Sequence, residues 1–455
     1  MRAAATTFER TLRVGVLGCG NVGAAFVRLI DAEADAIALR TGICLEVTRI
    51  AVRDLGKERL PELDRVALDK RLCTDAHSIV TDPEVDLVVE LIGGVSPARE
   101  LLLAAFAAGK PVVSGNKELI AVDGSLLMAA AETAGVDFLF EASVGGAIPL
   151  VRLLRESLAG ERVVRLTGIV NGTTNYVLTR MSEDGLSYDM AVAAAQALGY
   201  AEADPSADIE GHDAAAKAAI LAGIAFGVEV GGPEVHREGI SHISLDDIER
   251  AGKLGYVVKL LAVCEEASPG PTALLDAPRI AVRVHPAMVP VDHPLASVRG
   301  PFNAVFVEGA SAGELMVYGR GAGGLATASA VLGDVIDAGR HLGDGSRARP
   351  AGRRSPDLRP ISELSTQYYL SMEVADRPGV LAAVARVFGQ HNVSIRSMEQ
   401  VGLGAEARLV FITHVALEAD MQGTIADLGH LDTVERIGCL LRVIGPEPAA
   451  GPARA

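Results

Sequence analysis

Short apolar runs alternate with amphipathic stretches along the first third of the chain. The run over residues 12–17 predicts a short buried strand, and residues 24–40 carry apolar side chains at helical spacing. The pattern predicts another helix over 97–108 and further strands over 45–52, 85–92, 111–114 and 137–141. Strands that alternate with helices predict an α/β fold with a doubly wound parallel sheet, which binds ligands at the C-terminal ends of its strands.

The pattern changes after about residue 143. Predicted helices over 147–159, 187–198 and 212–226 mix with predicted strands over 163–170, 256–264 and 281–285. This mixture is typical of a separate α+β domain with a mixed sheet. Residues 326–342 then predict a long helix that follows a glycine-rich turn.

The last quarter of the chain begins with a change in composition. Residues 343–365 are rich in Gly, Arg, Pro and Ser and predict a linker. Beyond it, a strand near Tyr368, a turn, a helix over 380–392 and further strands predict a compact βαββαβ unit. The predicted domains are therefore 1–145 completed by helix 324–342, then 146–323 and 366–446, with a tail over 447–455.

Composition and charge restrict the class of protein. The 455 residues suffice for two or three domains, and 49% hydrophobic residues are typical of globular proteins. A net charge of -16 argues against nucleic acid or an anionic membrane surface as the main partner. The five scattered cysteines never form CxxC, which indicates reduced thiols and no zinc site. Because no uncharged apolar run reaches about 20 residues, we expect a soluble cytoplasmic protein.

A glycine-rich turn joins the first predicted strand to the first predicted helix: Gly18-Cys19-Gly20-Asn21-Val22-Gly23. Glycines let the backbone turn tightly and approach a ligand closely, and a helix N-terminus offers N–H groups to a pyrophosphate. The position of this GxGxxG motif between a strand and a helix favours dinucleotide binding over a plain glycine-rich turn.

Three further positions follow predicted strands. After the second strand, Arg53 precedes Asp54, and an arginine there can bind the 2′-phosphate of NADP; an ordinary surface pair is the alternative. Lys117 follows the fourth strand, where a lysine can bind a phosphate or a substrate carbonyl, or be merely solvated. Residues 141–149 join two predicted domains, and their glycine pairs and Glu141 suit either a cation site or a flexible hinge.

The most informative stretch is an acidic loop followed by an alanine-rich helix. Asp213 and Lys217 are four residues apart and therefore share one helix face. The apolar surroundings imply burial, and a buried ammonium needs a partner or loses its proton. A lysine beside a carboxylate can pass a proton to an aldehyde oxygen as a hydride arrives, although the spacing by itself slightly favours a structural ion pair. Glu202 and Asp208 in the loop can hold the ammonium of an amino acid.

Taken together, these segments resemble homoserine dehydrogenases. The resemblance covers residues 12–342 and rests on RVGVLGCGNVG, ELIGG, SGNKELIA, FEASVGGAIP, GIVNGTTNYVLTRM, LGYAEADPSADIEGHDAAAKAAIL, and FNAVFVEG followed by YGRGAGGLATASAVLGDV. It implies a Rossmann-type domain, a catalytic and dimerisation domain, and reversible reduction of L-aspartate 4-semialdehyde to L-homoserine with NADPH or NADH. That reaction lies on the route to threonine, methionine and isoleucine.

By motif position, the resemblance also implies roles for single residues. The catalytic residues would be Lys217 as acid–base, Asp213 beside it, and Lys117 between cofactor and substrate. Glu202 and Asp208, with Asp213, would bind the substrate. The dinucleotide would contact Gly18, Gly20, Asn21, Val22, Gly23, Arg53, Gly93, Lys117, Gly199 and Gly323. A structural monovalent cation, usually sodium, would bind Glu141 and the carbonyls of Val144, Gly146 and Ile148.

The C-terminal unit resembles a ferredoxin-like ACT domain through the turn Asp376-Arg377-Pro378-Gly379-Val380-Leu381. This resemblance implies that paired domains bind an amino acid at their interface. The resemblance to homoserine dehydrogenases implies that threonine is the feedback effector and that the enzyme is a homodimer or homotetramer.

Two other functions are compatible with parts of the sequence. A phosphorylating semialdehyde dehydrogenase needs a nucleophilic cysteine beside a base, and none of the five cysteines lies in a suitable strand–helix context. A non-catalytic sensor that combines a dinucleotide domain with an ACT domain would not need the helix face shared by Asp213 and Lys217.

Overall fold

The computed structural model describes residues 10–57, 68–266, 279–348, 355–402 and 407–445. Contacts divide the chain into two compact units. The first unit comprises Met1–Arg162, Ala219–Glu234 and Val317–Ser355, and the second comprises Val163–Ala218, Val235–Met316 and Pro356–Ala455. Within the described ranges, we find no helix that is both long and apolar enough to cross a membrane.

Among the described residues, the first unit contains a six-stranded parallel sheet. In chain order, its strands are β1 (Arg10–Leu17), β2 (Ile43–Ala51), β3 (Leu72–Cys73), β4 (Leu87–Glu90), β5 (Val112–Ser114) and β6 (Phe138–Leu139). The spatial order β3-β2-β1-β4-β5-β6 confirms the predicted doubly wound sheet, and the strand order reverses between β1 and β4. The pattern does not predict β3, because two residues are too few to show a period.

The helices of the first unit include one from much later in the chain. They are α1 (Asn21–Thr41), α2 (Ala76–Val80), α3 (Ala98–Ala107), α4 (Lys117–Ala134), α5 (Leu150–Arg152) and α11 (Gly324–Asp344). Phe26 of α1 and Val331 of α11 belong to one buried core together with Val14 of β1. The predicted helices do not include α4.

In the part of the chain that the structure describes, the second unit is built on a mixed, twelve-stranded sheet. Its strands are β7 (Val163–Ile169), β8 (His236–Arg237), β9 (Tyr256–Glu266), β10 (Arg279–Pro290), β11 (Phe302–Gly309), β12 (Gly313–Arg320, which continues into the first unit), β13 (Asp357–Leu358), β14 (Ser365–Val374), β15 (Ile395–Val401), β16 (Arg408–Thr413), β17 (Ala416–Leu417) and β18 (Val434–Val443). Its helices are α6 (Gly172–Asp184), α7 (Tyr188–Ala197), α8 (Ser206–Ile209), α9 (His212–Phe226, which continues into the first unit), α10 (Leu245–Lys253), α12 (Val380–Gln390) and α13 (Glu418–Leu428). This architecture confirms the predicted mixed-sheet domain.

The C-terminal βαββαβ unit, β14-α12-β15-β16-α13-β18, is also confirmed. Its last strand pairs in parallel with β10, with Arg442 opposite Ala287, so the sheets of the two predicted domains are continuous. Part of the predicted linker is likewise ordered: α11 runs to Asp344, and β13 pairs with β10. The sequence predicts neither pairing, because hydropathy carries no information about which distant strands become neighbours.

Candidate active site

The glycine-rich turn of the first unit is shaped by close backbone contacts. Gly18 has φ +97°, and a Cβ atom there would lie 2.6 Å from the carbonyl oxygen of Leu91. A Cβ atom on Gly23 would lie 2.2 Å from the carbonyl oxygen of Gly18. A Cβ atom on Gly20, in contrast, would meet nothing within 4 Å. Two of the glycines are therefore needed for packing, and the third leaves room for a ligand.

Two helix N-termini lie together at this turn. No side chain caps the first turn of α1 or α11, and neither first turn contains an acidic residue. Gly323, with φ +120°, precedes α11, and a Cβ atom on Gly324 would lie 3.0 Å from the carbonyl oxygen of Asn21. Because each helix N-terminus carries a partial positive charge, the pair suits a pyrophosphate.

Glu90, at the end of β4, organises the neighbouring loops and was not predicted as a site residue. Its buried carboxylate accepts hydrogen bonds from the Gly93 amide (3.3 Å), the Ser114 hydroxyl (2.7 Å) and the Asn116 amide (3.3 Å). Burial raises its pKa above the ordinary value. Asn116 also caps α4, which begins at the half-buried Lys117. The sequence signal that could have identified Glu90 is its position as a carboxylate at the end of the otherwise apolar strand LVVE.

Arg53 and Asp54 follow β2 and are both exposed. The Asp54 carboxylate accepts a hydrogen bond from the Gly56 amide (2.8 Å). Among the described residues, none makes a hydrogen bond or an ion pair with the Arg53 guanidinium. That group is therefore available to an anionic ligand, as the NADP prediction requires.

In the second unit, α9 carries a buried lysine–carboxylate pair. Lys217 donates hydrogen bonds to Asp213 Oδ2 (2.6 Å) and to the carbonyl oxygen of Val170 (2.8 Å). Both side chains are buried, with relative exposures of 9% for Lys217 and 7% for Asp213. The Asn171 amide donates to the same Asp213 oxygen (2.9 Å) and to Asp208 (2.7 Å). An ammonium has three protons, so one remains for a ligand beyond these two acceptors.

The start of α6 fixes this cluster. Asn171 caps the helix by accepting a hydrogen bond from the Thr174 amide (2.9 Å), which orients its own amide group. The Thr173 hydroxyl lies 2.7 Å from the carbonyl oxygen of Tyr200 and 3.0 Å from Asp208 Oδ2. Sequence reasoning did not single out Asn171 or Thr173, because their role depends on contacts with residues far along the chain.

The predicted substrate residues are not all brought together. Asp208 belongs to the Lys217–Asp213 cluster through Asn171. Glu202 is exposed, and no hydrogen bond among the described residues joins its carboxylate to that cluster. Gly199 precedes this loop with φ +73°, a left-handed conformation that favours glycine.

The predicted cation site lies in the first unit, where Glu141 is 2% exposed. Its carboxylate accepts hydrogen bonds from the amides of Val151 and Arg152, both at 2.8 Å, and burial raises its pKa. Val144 and Ile148 are also buried, and Gly146 has φ +59°. The described residues contain no group of three or more His, Cys, Asp or Glu side chains that could hold a metal ion. A cation here would therefore depend on backbone carbonyls.

The fold and these sites define a nicotinamide-dependent oxidoreductase with an appended ACT domain. Family models confirm each part: the homoserine dehydrogenase NAD-binding domain matches residues 18–141, homoserine dehydrogenase matches 149–336, and the ACT domain matches 368–429. The homoserine dehydrogenase of Mycobacterium leprae is 47% identical over 445 residues, which cover 96% of this chain and 98% of that protein. The chain therefore belongs to the homoserine dehydrogenase family.

Solved structures agree with this assignment. A homoserine dehydrogenase from Thiobacillus denitrificans matches with a TM-score of 0.87 and 38% identity, covering 96% of this chain and 98% of that one. A hyperthermophilic archaeal homoserine dehydrogenase in complex with NADPH matches with a TM-score of 0.59 and 27% identity, covering 73% of this chain and 98% of that one.

Membership of an enzyme family excludes the non-catalytic sensor. The phosphorylating semialdehyde dehydrogenase also lacks support, since it needs a reactive thiolate. Cys264 is buried, donates to the carbonyl oxygen of Ala218, and has a pKa raised by burial to about 12. Such a thiol stays protonated at neutral pH.

Proposed function

We propose that the chain reduces L-aspartate 4-semialdehyde to L-homoserine, and catalyses the reverse reaction, in the biosynthesis of threonine, methionine and isoleucine. The observation that carries this proposal is the buried Lys217 ammonium, held 2.6 Å from Asp213 Oδ2 and 2.8 Å from the carbonyl oxygen of Val170. This arrangement fixes a proton donor in a place from which bulk water is largely excluded.

Lys217 is the proposed acid–base residue. In the direction of reduction, its ammonium gives a proton to the aldehyde oxygen, and in the direction of oxidation its amine takes the proton of the alcohol. A nicotinamide nucleotide, when bound, would supply or accept the hydride. Asp213 holds the ammonium in place, and the Asn171 amide orients Asp213 through its hydrogen bond (2.9 Å).

Asp208, Asp213 and Glu202 are the proposed substrate-binding residues. Asp208 is half-buried beside Asn171, so its carboxylate has a fixed position for the α-ammonium of an amino-acid substrate. Glu202 precedes it on the same loop and is exposed. A contact between Glu202 and the substrate therefore depends on the position of the loop more than a contact from Asp208 does.

The proposed cofactor is NADP, with NAD as the alternative. Support for NADP comes from the exposed Arg53 guanidinium after β2, which can form two hydrogen bonds to a 2′-phosphate. We also propose that the contact residues are Gly18, Gly20, Asn21, Val22, Gly23, Arg53, Gly93, Lys117, Gly199 and Gly323. A sodium ion at Glu141 and the carbonyls of Val144, Gly146 and Ile148 is proposed as a structural site, because a carboxylate oxygen can bind a cation as well as an amide.

Regulation by threonine through the ACT domain, and a dimeric or tetrameric assembly, complete the proposal. A cavity of about 360 Å³ lies at the turn Asp376–Gly379 and is lined on other sides by Gln400 and Leu409. This volume accommodates a small amino acid.

The test is the variant Lys217→Ala, with the exposed Lys253→Ala as a matched control. Loss of the proton donor is expected to lower kcat for homoserine oxidation by roughly 10²–10⁴-fold. NADPH binding, followed by fluorescence, should stay near that of the wild type, and the control should be fully active. A kcat near the wild-type value in Lys217→Ala would overturn the assignment.

A further inference from the structure

A buried arginine of the C-terminal domain holds two carboxylates from different parts of the second unit. Arg442, on β18, is 3% exposed. It donates two hydrogen bonds to Glu238, both at 2.8 Å, and two to Glu418, at 2.7 and 2.9 Å. Glu418 begins α13 of the ACT domain, whereas Glu238 follows β8 of the catalytic domain. A guanidinium that binds two carboxylates in this way fixes the geometry of both.

The two carboxylates that Arg442 binds, those of Glu238 and Glu418, remain ionised at neutral pH. Burial by itself would raise the pKa of Glu238, but hydrogen bonds from His236 and Arg442 outweigh it and hold that pKa well below the ordinary value. The pKa of Glu418 is lowered in the same way, because the hydrogen bond from Arg442 outweighs its burial. The contact between the two domains therefore persists over the whole neutral range.

The residues that follow Glu238 pack against the backbone of the predicted substrate loop. A Cβ atom on the next residue, Gly239, would lie 2.6 Å from the carbonyl oxygen of Ile209. The Ile240 amide donates to that same carbonyl oxygen (3.0 Å), and a Cβ atom on Gly211 would lie 3.5 Å from the carbonyl oxygen of Glu238. The segment 238–240 thus packs closely against residues 209–211, and Gly239 has no room for a larger side chain without a shift of its neighbours.

Those loop residues are covalently adjacent to the site. Asp208 precedes Ile209 and accepts hydrogen bonds from the Asn171 amide (2.7 Å) and the Thr173 hydroxyl (3.0 Å). Gly211 precedes α9, and its carbonyl oxygen accepts a hydrogen bond from the Ala215 amide (2.9 Å). A displacement of residues 209–211 would move the Asp208 carboxylate on one side and the start of α9 on the other.

We propose that Arg442 is a positioning residue for the substrate site: through Glu238 it fixes loop 208–211, so the ACT domain sets the affinity for the amino-acid substrate. The inference rests on the proposed function, since it takes Asp208 as a substrate-binding residue.

The test compares Arg442→Lys with Arg436→Lys. Because lysine keeps the positive charge, the buried carboxylates stay compensated. Lysine cannot, however, bind two carboxylates with paired hydrogen bonds. Arg436 is exposed and pairs with Glu373 inside the ACT domain, which makes it the matched control. For Arg442→Lys we expect the KM for L-homoserine to rise roughly five- to tenfold, with kcat and the KM for NADP⁺ within about twofold of the wild type. The control should match the wild type throughout.

Two further measurements separate positioning from general destabilisation. Hydrogen exchange of the peptide that covers residues 205–211 should accelerate in Arg442→Lys and not in the control. Glu238→Gln should raise the KM for L-homoserine similarly, and the double variant should show no larger effect than either single one.

An unchanged KM for L-homoserine, an equal change in the KM for NADP⁺, or unchanged exchange over 205–211 would each overturn the inference while the proposed function stands. A wild-type enzyme that does not oxidise L-homoserine would overturn both.

Discussion

Alanine substitutions at Gly20 and Gly23 should separate cofactor binding from folding. The Gly20 backbone has φ −81° and ψ −157°, which alanine adopts freely, and its Cβ atom would meet nothing within 4 Å. Gly20→Ala should therefore fold normally and gain about 0.5 kcal/mol of stability, because alanine has less conformational entropy to lose. The added methyl group projects into the space left for the pyrophosphate, so the dissociation constant for NADPH should rise about tenfold or more, which is ~1.4 kcal/mol.

Gly23→Ala, in contrast, should mainly reduce the stability of the fold. Its Cβ atom would lie 2.2 Å from the carbonyl oxygen of Gly18, and backbone atoms must move to relieve that contact. The expected loss is about 1–3 kcal/mol in the free energy of unfolding. Urea denaturation and NADPH fluorescence titration measure the two effects separately. If Gly20→Ala bound NADPH as tightly as the wild type, the turn would not be the pyrophosphate site.

Three other predictions concern single side chains. Asn171→Ala removes the hydrogen bond that orients Asp213, so kcat for homoserine oxidation should fall about tenfold, with little change in the KM for NADP⁺; a wild-type kcat would contradict this role. Arg53→Gln should raise the KM for NADP⁺ about tenfold and leave the KM for NAD⁺ unchanged, and equal changes in both would refute the 2′-phosphate contact. Asp334 is a buried carboxylate on α11. Burial raises its pKa to about 7, so the folded state binds a proton that the unfolded state releases near pH 4. This group's contribution to stability is full below pH 4 and is lost as the pH rises to about 7. Urea denaturation from pH 4 to 8 should therefore show a smaller decline in the free energy of unfolding for Asp334→Asn than for the wild type.

The sequence predicted those parts of the site that depend on short spacing. The GxGxxG turn could be read because a strand precedes it and a helix follows. The Asp213–Lys217 pair could be read because residues four apart share a helix face. In both cases the interacting groups are separated by only a few residues, so local geometry determines the arrangement.

The tertiary structure decided the contacts between segments that are distant in the chain. Glu90 contacts Asn116, Asn171 contacts Asp213, and no local pattern reveals either pair, since both depend on which strands and loops become neighbours. The same holds for the pairing of β18 with β10, which joins the ACT domain to the catalytic sheet.

By itself, the sequence determined the alternation of strands and helices, because hydrophobic periodicity is a local property of the chain. Only the tertiary structure showed that Lys217 donates to the carbonyl oxygen of Val170 as well as to Asp213, and that Arg442 of the C-terminal domain binds Glu238. Hydrogen bonds of this kind form between side chains that are brought together only when the whole unit folds, and their partners are set by packing rather than by spacing.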